Sequence, residues 1–247
     1  MPAEEPHGEQ SLRGRVVLIT GAGRGLGRAT ALRLAREGGR LGLLARTAAD
    51  LEQLSREVRD AGGEPWALAG SVTDEAALKA AVGSLEAAWG GLDALVNCAG
   101  TGSFAPVEEV PPPEFRRIVE VNLTGTFLAC QAVLPGMLRR GGGQIINVIS
   151  IAGKVALPNA SAYCASKWGA LGFTRVLAAE ARKRGIRVTA LCPGSIATPF
   201  WDTLDHRLDL NRMLRAEDVA EMIRFLLAQP AGIHTDELEL MPPDGIL

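Results

Sequence analysis

Residues 15–27 read RVVLITGAGRGLG, running from Arg15 to Gly27, and this stretch decides the fold. Its first six residues (RVVLIT) are a short β-branched apolar run, the composition of a buried strand. Glycines at positions 21, 23, 25 and 27 follow, and residues 28–37 then read as a helix. The unit is strand, tight turn, helix. Glycines in such a turn let the backbone bend sharply and approach a pyrophosphate, whose charge rests against the free N–H groups of the helix N-terminus. Gly21, Arg24, Gly25, Leu26 and Gly27 are therefore candidate dinucleotide contacts. The spacing departs from GxGxxG, because Leu26 and Arg28 occupy the places around a third glycine, and it fits TGxxxGxG. A plain tight turn without a ligand is the alternative reading.

Outward from this unit the same alternation repeats. Residues 40–45 (RLGLLA) form the next apolar run, and 47–61 read as a helix in which Thr47 and Asp50 resemble a capping box. Residues 66–69 are a weak strand, 74–89 a helix, 94–97 a strand, 114–139 one long helix and 144–150 (QIINVIS) a clear strand. Residues 161–184 are helical, 187–192 (RVTALC) a strand, 216–228 a helix and 238–241 a last strand. Continuous apolar strands alternating with helices of ten or more residues imply a parallel sheet covered on both faces. The expected fold is α/β, a doubly wound Rossmann-like sheet of about seven strands. Pro111 to Pro113 read as the opening of a helix rather than a linker. The expectation is a disordered extension over residues 1–11 and a single domain over 12–247.

Composition narrows the function. The 247 residues carry 26 Lys plus Arg and 28 Asp plus Glu, a net charge of −2 that disfavours a nucleic-acid-binding protein. With 47% hydrophobic and 22% charged residues the balance is globular. Cys98, Cys130, Cys164 and Cys192 are widely spaced without a CxxC pair, and His7, His206 and His234 are scattered, so no metal site is expected. The acidic start (MPAEEPHGEQ) lacks the pattern of a secretory signal, and no run of about 18 apolar residues follows. A cytoplasmic setting without membrane attachment is the expectation.

Two further positions bear on the dinucleotide. At the end of the second apolar run, where an NAD-preferring fold places Asp or Glu, stands Ala45. Arg46 beside it and Arg24 in the glycine turn suit a ribose 2′-phosphate, so NADP is favoured over NAD. Solvated surface arginines are the plain alternative.

The strongest local signal is SAYCASK at residues 161–167. The chain has a single tyrosine, and Tyr163 lies four residues before Lys167, one of four lysines among the 26 basic residues. Positions i and i+4 share a helix face. An ammonium near a phenol favours the phenolate, lowering a pKa that starts near ~10. Ser150 closes an apolar strand thirteen residues earlier, where a strand end and the next helix face one crevice. A hydroxyl there can polarise a carbonyl oxygen; a plain turn residue is the alternative.

With these pieces the sequence resembles the short-chain dehydrogenase/reductase family, in its branch of about 250 residues, over residues 12–241. Thr20 to Gly27 resembles the cofactor turn, and Asn97-Cys98-Ala99-Gly100 resembles the Asn-Asn-Ala-Gly segment. Asn122 in VNLTG matches the helix asparagine, and Ser150, Tyr163 and Lys167 match the catalytic positions. Pro193-Gly194-Ser195-Ile196-Ala197-Thr198 resembles the segment along the nicotinamide, with Thr198 meeting the carboxamide. Two residues depart from the pattern. Cys98 replaces the second Asn, and Ser71 stands where an Asp often contacts the adenine, leaving that contact to Ser71 or the backbone of Val72.

The resemblance implies an oxidoreductase that interconverts a ketone or aldehyde and an alcohol. Tyr163 is then the proton donor and acceptor, Lys167 lowers its pKa and binds the nicotinamide ribose, Ser150 holds the substrate oxygen and Asn122 serves a proton relay. A 3-oxoacyl-carrier-protein reductase is the alternative, against which the chain end ELELMPPDGIL counts. A catalytically inactive dinucleotide-binding regulator is the alternative from another class. The apolar-aromatic stretch after Thr198, with Phe200, Trp201 and Leu204, and Phe104 across the crevice, points to an apolar small-molecule substrate. Arg207 and Arg212 are candidates for an acidic group on it. By analogy the helices over 114–139 and 161–184 pair between subunits, giving a dimer or tetramer.

Overall fold

In the computed structural model, which describes residues 11–203 and 209–246, the opening run forms strand β1 (Val16–Thr20), buried at every position. Alternate side chains leave opposite faces of a strand, so a strand that is apolar throughout must be covered on both sides. On one face Val17 and Ile19 join Leu34, Leu51, Leu54, Val58, Val219 and Ile223. On the other, Val16 and Leu18 join Leu44, Leu78, Leu85, Val133 and Met137. Two separate apolar clusters therefore sandwich one sheet.

The elements follow as α1 (Gly25–Ala35), β2 (Arg40–Ala45), α2 (Ala48–Asp60), β3 (Glu64–Ala69), α3 (Glu75–Trp89) and β4 (Ala94–Asn97). Then come α4 (Pro112–Val119), a π-helical turn (Glu120–Thr124), α5 (Gly125–Arg140), β5 (Gly143–Val148) and α6 (Ser161–Arg182). The chain continues through β6 (Ile186–Pro193), β7 (Ile196–Ala197), β8 (Leu214–Arg215), α7 (Ala216–Ala228) and β9 (Glu237–Leu240). Seven strands make a parallel sheet in the order β3-β2-β1-β4-β5-β6-β9, and β7 pairs with β8. The order reverses between β1 and β4, whose carboxyl ends part there and open the crevice where such sheets bind ligands.

Several boundaries differ from the pattern-based reading. Helix α1 begins inside the glycine turn, at Gly25. Strand β3 is longer than expected because Glu64 and Pro65 belong to it; an edge strand tolerates both. There Trp66 meets Trp89 edge-on at 5.7 Å, and the Trp89 indole donates to Glu64 at 3.1 Å. The expected single helix over 114–139 is two helices joined by the π turn. Residues 112–140 are long and apolar enough to match a membrane span by length and composition, and Ala129, Cys130, Val133 and Met137 of this run pack into the sheet. Thr47 precedes α2 in an extended conformation without a capping hydrogen bond. Asp74 does cap α3, its carboxylate accepting from the Ala77 amide at 2.9 Å.

Gly42, midway along β2, shows why a glycine interrupts that apolar run. A Cβ there would lie 2.5 Å from Leu85 Cδ1 and 3.3 Å from Leu18 Cδ1. The missing methyl lets α3 settle onto the sheet.

Residues 1–10 of the expected extension over 1–11, His7 among them, lie outside the described residues, as do Leu204, His206 and Arg207.

Candidate active site

Strand β5 ends at Val148, and the chain leaves the sheet through Ile149 to Ser150, which opens a short 3-10 turn. The Ser150 hydroxyl accepts from the Ala152 amide at 3.1 Å and lies near enough to the Tyr163 phenol to favour its charged form. Tyr163 and Lys167 project from one face of α6 toward the same strand ends. Lys167 Nζ donates to the Val148 carbonyl at 3.0 Å and lies 5.8 Å from the centre of the Tyr163 ring. The three side chains picked out along the sequence therefore converge at the carboxyl edge of β5.

Burial governs their charge. Contrary to the expected lowering by Lys167, it pushes the Tyr163 phenol up to about 12, opposed by the Ser150 hydroxyl, and the Lys167 ammonium down to about 8. Desolvation penalises the charged form of each group. In the chain alone the phenol is thus a firmly protonated acid.

Asn122 is buried in the π turn, where its carboxamide is committed to neighbours. Oδ1 accepts from the Thr101 amide at 2.8 Å, while Nδ2 donates to the Thr101 carbonyl at 2.8 Å and to Ser166 Oγ at 2.9 Å. Both amide donors are used, so the side chain fastens the loop after β4 to α6. Ser166 in turn donates to the Tyr163 carbonyl at 2.7 Å. A Cβ on Gly100 would stand 3.5 Å from Asn122 Oδ1 and 3.8 Å from Lys167 Nζ. Thr101 and Ser166 escaped the sequence reading because their role depends on a partner in another element.

The glycine turn lies across the β1–β4 opening. Gly21 has φ +67, and a Cβ on it would sit 2.7 Å from Ala99 Cα; one on Gly27 would sit 2.3 Å from the Gly21 carbonyl oxygen. Only glycine fits either place. Arg24, the residue before α1, makes no side-chain cap, and the first turn carries no acidic residue. The helix thus presents its amide ends, with their partial positive charge, to the crevice. This cradle fits a pyrophosphate, and Gly25 and Thr198 meet across it, with 3.3 Å between a Cβ on Gly25 and Thr198 Cβ.

The remaining candidates divide. Val72 borders Gly125, against whose Cβ position its Cγ2 would lie 2.7 Å. The Ser71 hydroxyl is taken up locally by Thr73 at 2.8 Å. Pro193 and Gly194 end β6, and the Gly194 amide donates to the Leu240 carbonyl at 2.8 Å. Ile196 receives the Trp201 indole on its carbonyl at 2.7 Å. Arg46 is exposed at the end of β2.

Asn97 faces the sheet interior rather than the crevice. It accepts from Thr20 Oγ1 at 3.1 Å and donates to Asn147 Oδ1 at 2.9 Å, and Asn147 donates to Thr174 Oγ1 at 2.9 Å. This buried chain ties β1, β4, β5 and α6 together directly beneath the site. Its signal in the sequence was a polar residue inside each of two apolar runs.

Aromatic rings close the crevice beside Tyr163. Phe104 lies 5.8 Å and Phe200 5.7 Å from its ring, and Phe104 stacks on Trp201 at 5.8 Å. Gly102 allows this, since a Cβ would meet Phe200 Cζ at 2.7 Å. Arg212 pairs with Asp244 at 2.8 Å.

Comparison with known proteins agrees with this fold. The family profile described as short chain dehydrogenase matches residues 15–209. The D-threitol dehydrogenase of Mycolicibacterium smegmatis is 37% identical over 231 residues, covering 90% of this chain and 89% of that protein. The 3-oxoacyl-(acyl-carrier-protein) reductase of Thermotoga maritima is 34% identical over 237 residues, covering 92% and 96%. A crystal structure of a metagenomic short-chain oxidoreductase in complex with NADP superposes with a TM-score of 0.83 at 34% identity, covering 94% of this chain and 99% of that one. The chain belongs to the short-chain dehydrogenase family, oxidoreductases that bind a nicotinamide dinucleotide and act on alcohol and carbonyl groups.

Proposed function

We propose that this protein is an NADP-preferring carbonyl reductase for an apolar small molecule, with Ser150, Tyr163 and Lys167 as its catalytic residues. The observation that carries the reading is the meeting of these side chains at the carboxyl edge of β5, beside an uncapped helix N-terminus.

When bound, a nicotinamide dinucleotide supplies or accepts the hydride. Gly21, Gly25, Leu26 and Gly27 would hold its pyrophosphate, Arg24 and Arg46 its 2′-phosphate, and Ser71 and the Val72 backbone its adenine side. Ala99, Gly100, Pro193, Gly194, Ile196 and Thr198 would line the nicotinamide half. Asn97 supports that half from beneath, through the position of its backbone.

Ser150 offers its hydroxyl to the substrate oxygen. The Tyr163 phenol gives that oxygen a proton in reduction and takes it back in oxidation. Burial keeps the phenol protonated, which suits it as a donor. For oxidation the Lys167 ammonium offsets the cost of the phenolate by Coulomb attraction. Lys167 would also bind the nicotinamide ribose. Asn122 serves the relay as a positioning residue, because its amide donors are already committed.

A 3-oxoacyl-carrier-protein reductase is the second reading, favoured by the resemblance to the Thermotoga maritima enzyme. The aromatic closure by Phe104, Phe200 and Trp201 speaks for a more compact apolar substrate. Phe127, Trp168 and Val176 leave apolar surface exposed on α5 and α6, which supports a homodimer or tetramer built on these helices. Residues 12–247 would form one domain acting in the cytoplasm, without membrane or nucleic-acid partners.

The test is titration with NADPH and NADH by fluorescence, followed by a panel of ketones, β-ketoesters, diketones and acyl-thioester mimics. Tighter NADPH binding and turnover that disappears in Tyr163→Phe support the reading. Failure to bind either nucleotide overturns it.

A further inference from the structure

The corner where the glycine turn meets the end of β2 contains an acidic residue that the Arg24 and Arg46 reading leaves out. A Cβ on Gly23 would stand 3.3 Å from Ala45 Cβ, 3.3 Å from Asp50 Cβ and 3.4 Å from Asp50 Oδ2. Asp50 thus reaches back from the first turn of α2 over Gly23, and it can do so because Gly23 has no side chain. It is exposed, and among the described residues its carboxylate has no ion-pair or hydrogen-bond partner. Arg24 and Arg46 are likewise exposed and unpaired among the described residues, whereas Arg28 is taken by Glu57. One free carboxylate lies over Gly23, and two unpaired arginines flank it along the chain, next to Gly23 and Ala45, at the end of β2 where this fold receives the adenosine ribose.

We propose that Asp50 is a specificity-determining residue that opposes a ribose 2′-phosphate and accepts a hydrogen bond from a free 2′-hydroxyl. The inference rests on the dinucleotide reading above. A phosphate monoester carries between one and two negative charges at neutral pH. Beside a carboxylate it is repelled, while Arg24 and Arg46 attract it. A 2′-hydroxyl is neutral and can donate to Asp50. The acid thus narrows the NADP preference that the arginines create, so the chain takes NAD as well. Its exposure limits the effect to about three- to tenfold and makes it salt-sensitive.

The test compares wild type, Asp50→Asn and Arg46→Ala by titration with adenosine 2′,5′-bisphosphate and AMP, probes that differ by the 2′-phosphate, and with NADPH and NADH. Binding is read directly by calorimetry or fluorescence, and melting temperature confirms the fold of each variant. Asp50→Asn is expected to raise the bisphosphate-to-AMP and NADPH-to-NADH affinity ratios about three- to tenfold at low salt, with the gain shrinking at high salt. Arg46→Ala should move both ratios the other way. Ratios unchanged or lowered in Asp50→Asn, with wild type still binding, overturn the role of Asp50 alone. A wild type that binds none of the four probes overturns the dinucleotide reading, and this inference with it.

Discussion

Asn122 and Ser166 are joined by a hydrogen bond of 2.9 Å from the carboxamide to the hydroxyl. This bond fixes the π turn between α4 and α5 to the helix carrying Tyr163 and Lys167. A π turn inserts one extra residue into a helix, and here that turn holds Asn122 against Thr101 as well as Ser166. Ser166→Ala leaves one buried amide donor unpaired, at a cost of about 1–3 kcal/mol. Urea denaturation should show that loss, with a fall in kcat and little change in KM. Unchanged stability would mean that the amide finds another partner.

Tyr163→Phe keeps the ring contacts with Phe104 and Phe200 and removes only the hydroxyl. Reduction should slow by about 10²- to 10⁴-fold, the usual worth of a positioned proton donor. Nucleotide affinity should change by less than a factor of about two, well under the ~1.4 kcal/mol that a tenfold change requires. Retention of most activity would place proton delivery elsewhere.

Gly27→Ala tests the cradle by sterics. Its new Cβ would stand 2.3 Å from the Gly21 carbonyl oxygen, so the turn must open. Dinucleotide affinity should fall by at least about tenfold, and melting temperature should drop as α1 shifts on β1, since overpacking costs about 1–3 kcal/mol. Wild-type affinity would show that the turn does not carry the nucleotide.

Glu237, on the edge strand β9, binds Arg175 at 2.6 Å and Lys154 at 3.0 Å. The Arg175 and Lys154 hydrogen bonds hold its carboxyl at about 2, below its ordinary 4.5. The folded state then binds fewer protons than the unfolded chain between these values. Stability from the clamp is present above about pH 4.5 and is lost as pH falls through about 2. Wild type should lose more melting temperature across this acid window than Glu237→Gln. Parallel curves for the two proteins would dismiss the clamp. Arg175 is 58% exposed, so the difference should be modest.

Phe200→Ala removes a ring that covers Tyr163. The KM for apolar ketones should rise severalfold, consistent with ~1.5–3 kcal/mol for a fully buried aromatic contact and less for a partly exposed one. A polar carbonyl substrate should be less affected. Equal effects on both would remove Phe200 from substrate selection.

Local pattern already carried the alternation of strands and helices, because a run such as RVVLIT calls for cover on both faces, and the helical segments between the runs supply it. It also placed Tyr163 and Lys167 on one face, since helical periodicity is a property of the chain itself. The glycine turn was legible for the same reason: its backbone demands are local. Other features depended on residues far apart in sequence. Glu64 and Pro65 look unlike strand residues until β3 proves to be an edge. Residues 114–139 look like one helix until Thr101 and Ser166 hold Asn122 in a π turn. Asp50 looks like half of a capping box until the return of α2 brings it over Gly23. Asn97 and Asn147 look like misplaced polar residues in apolar strands until the sheet sets them side by side. In each case the deciding term was a partner supplied by another element, and a hydrogen bond or close contact has no pattern along the chain until packing brings its two ends together.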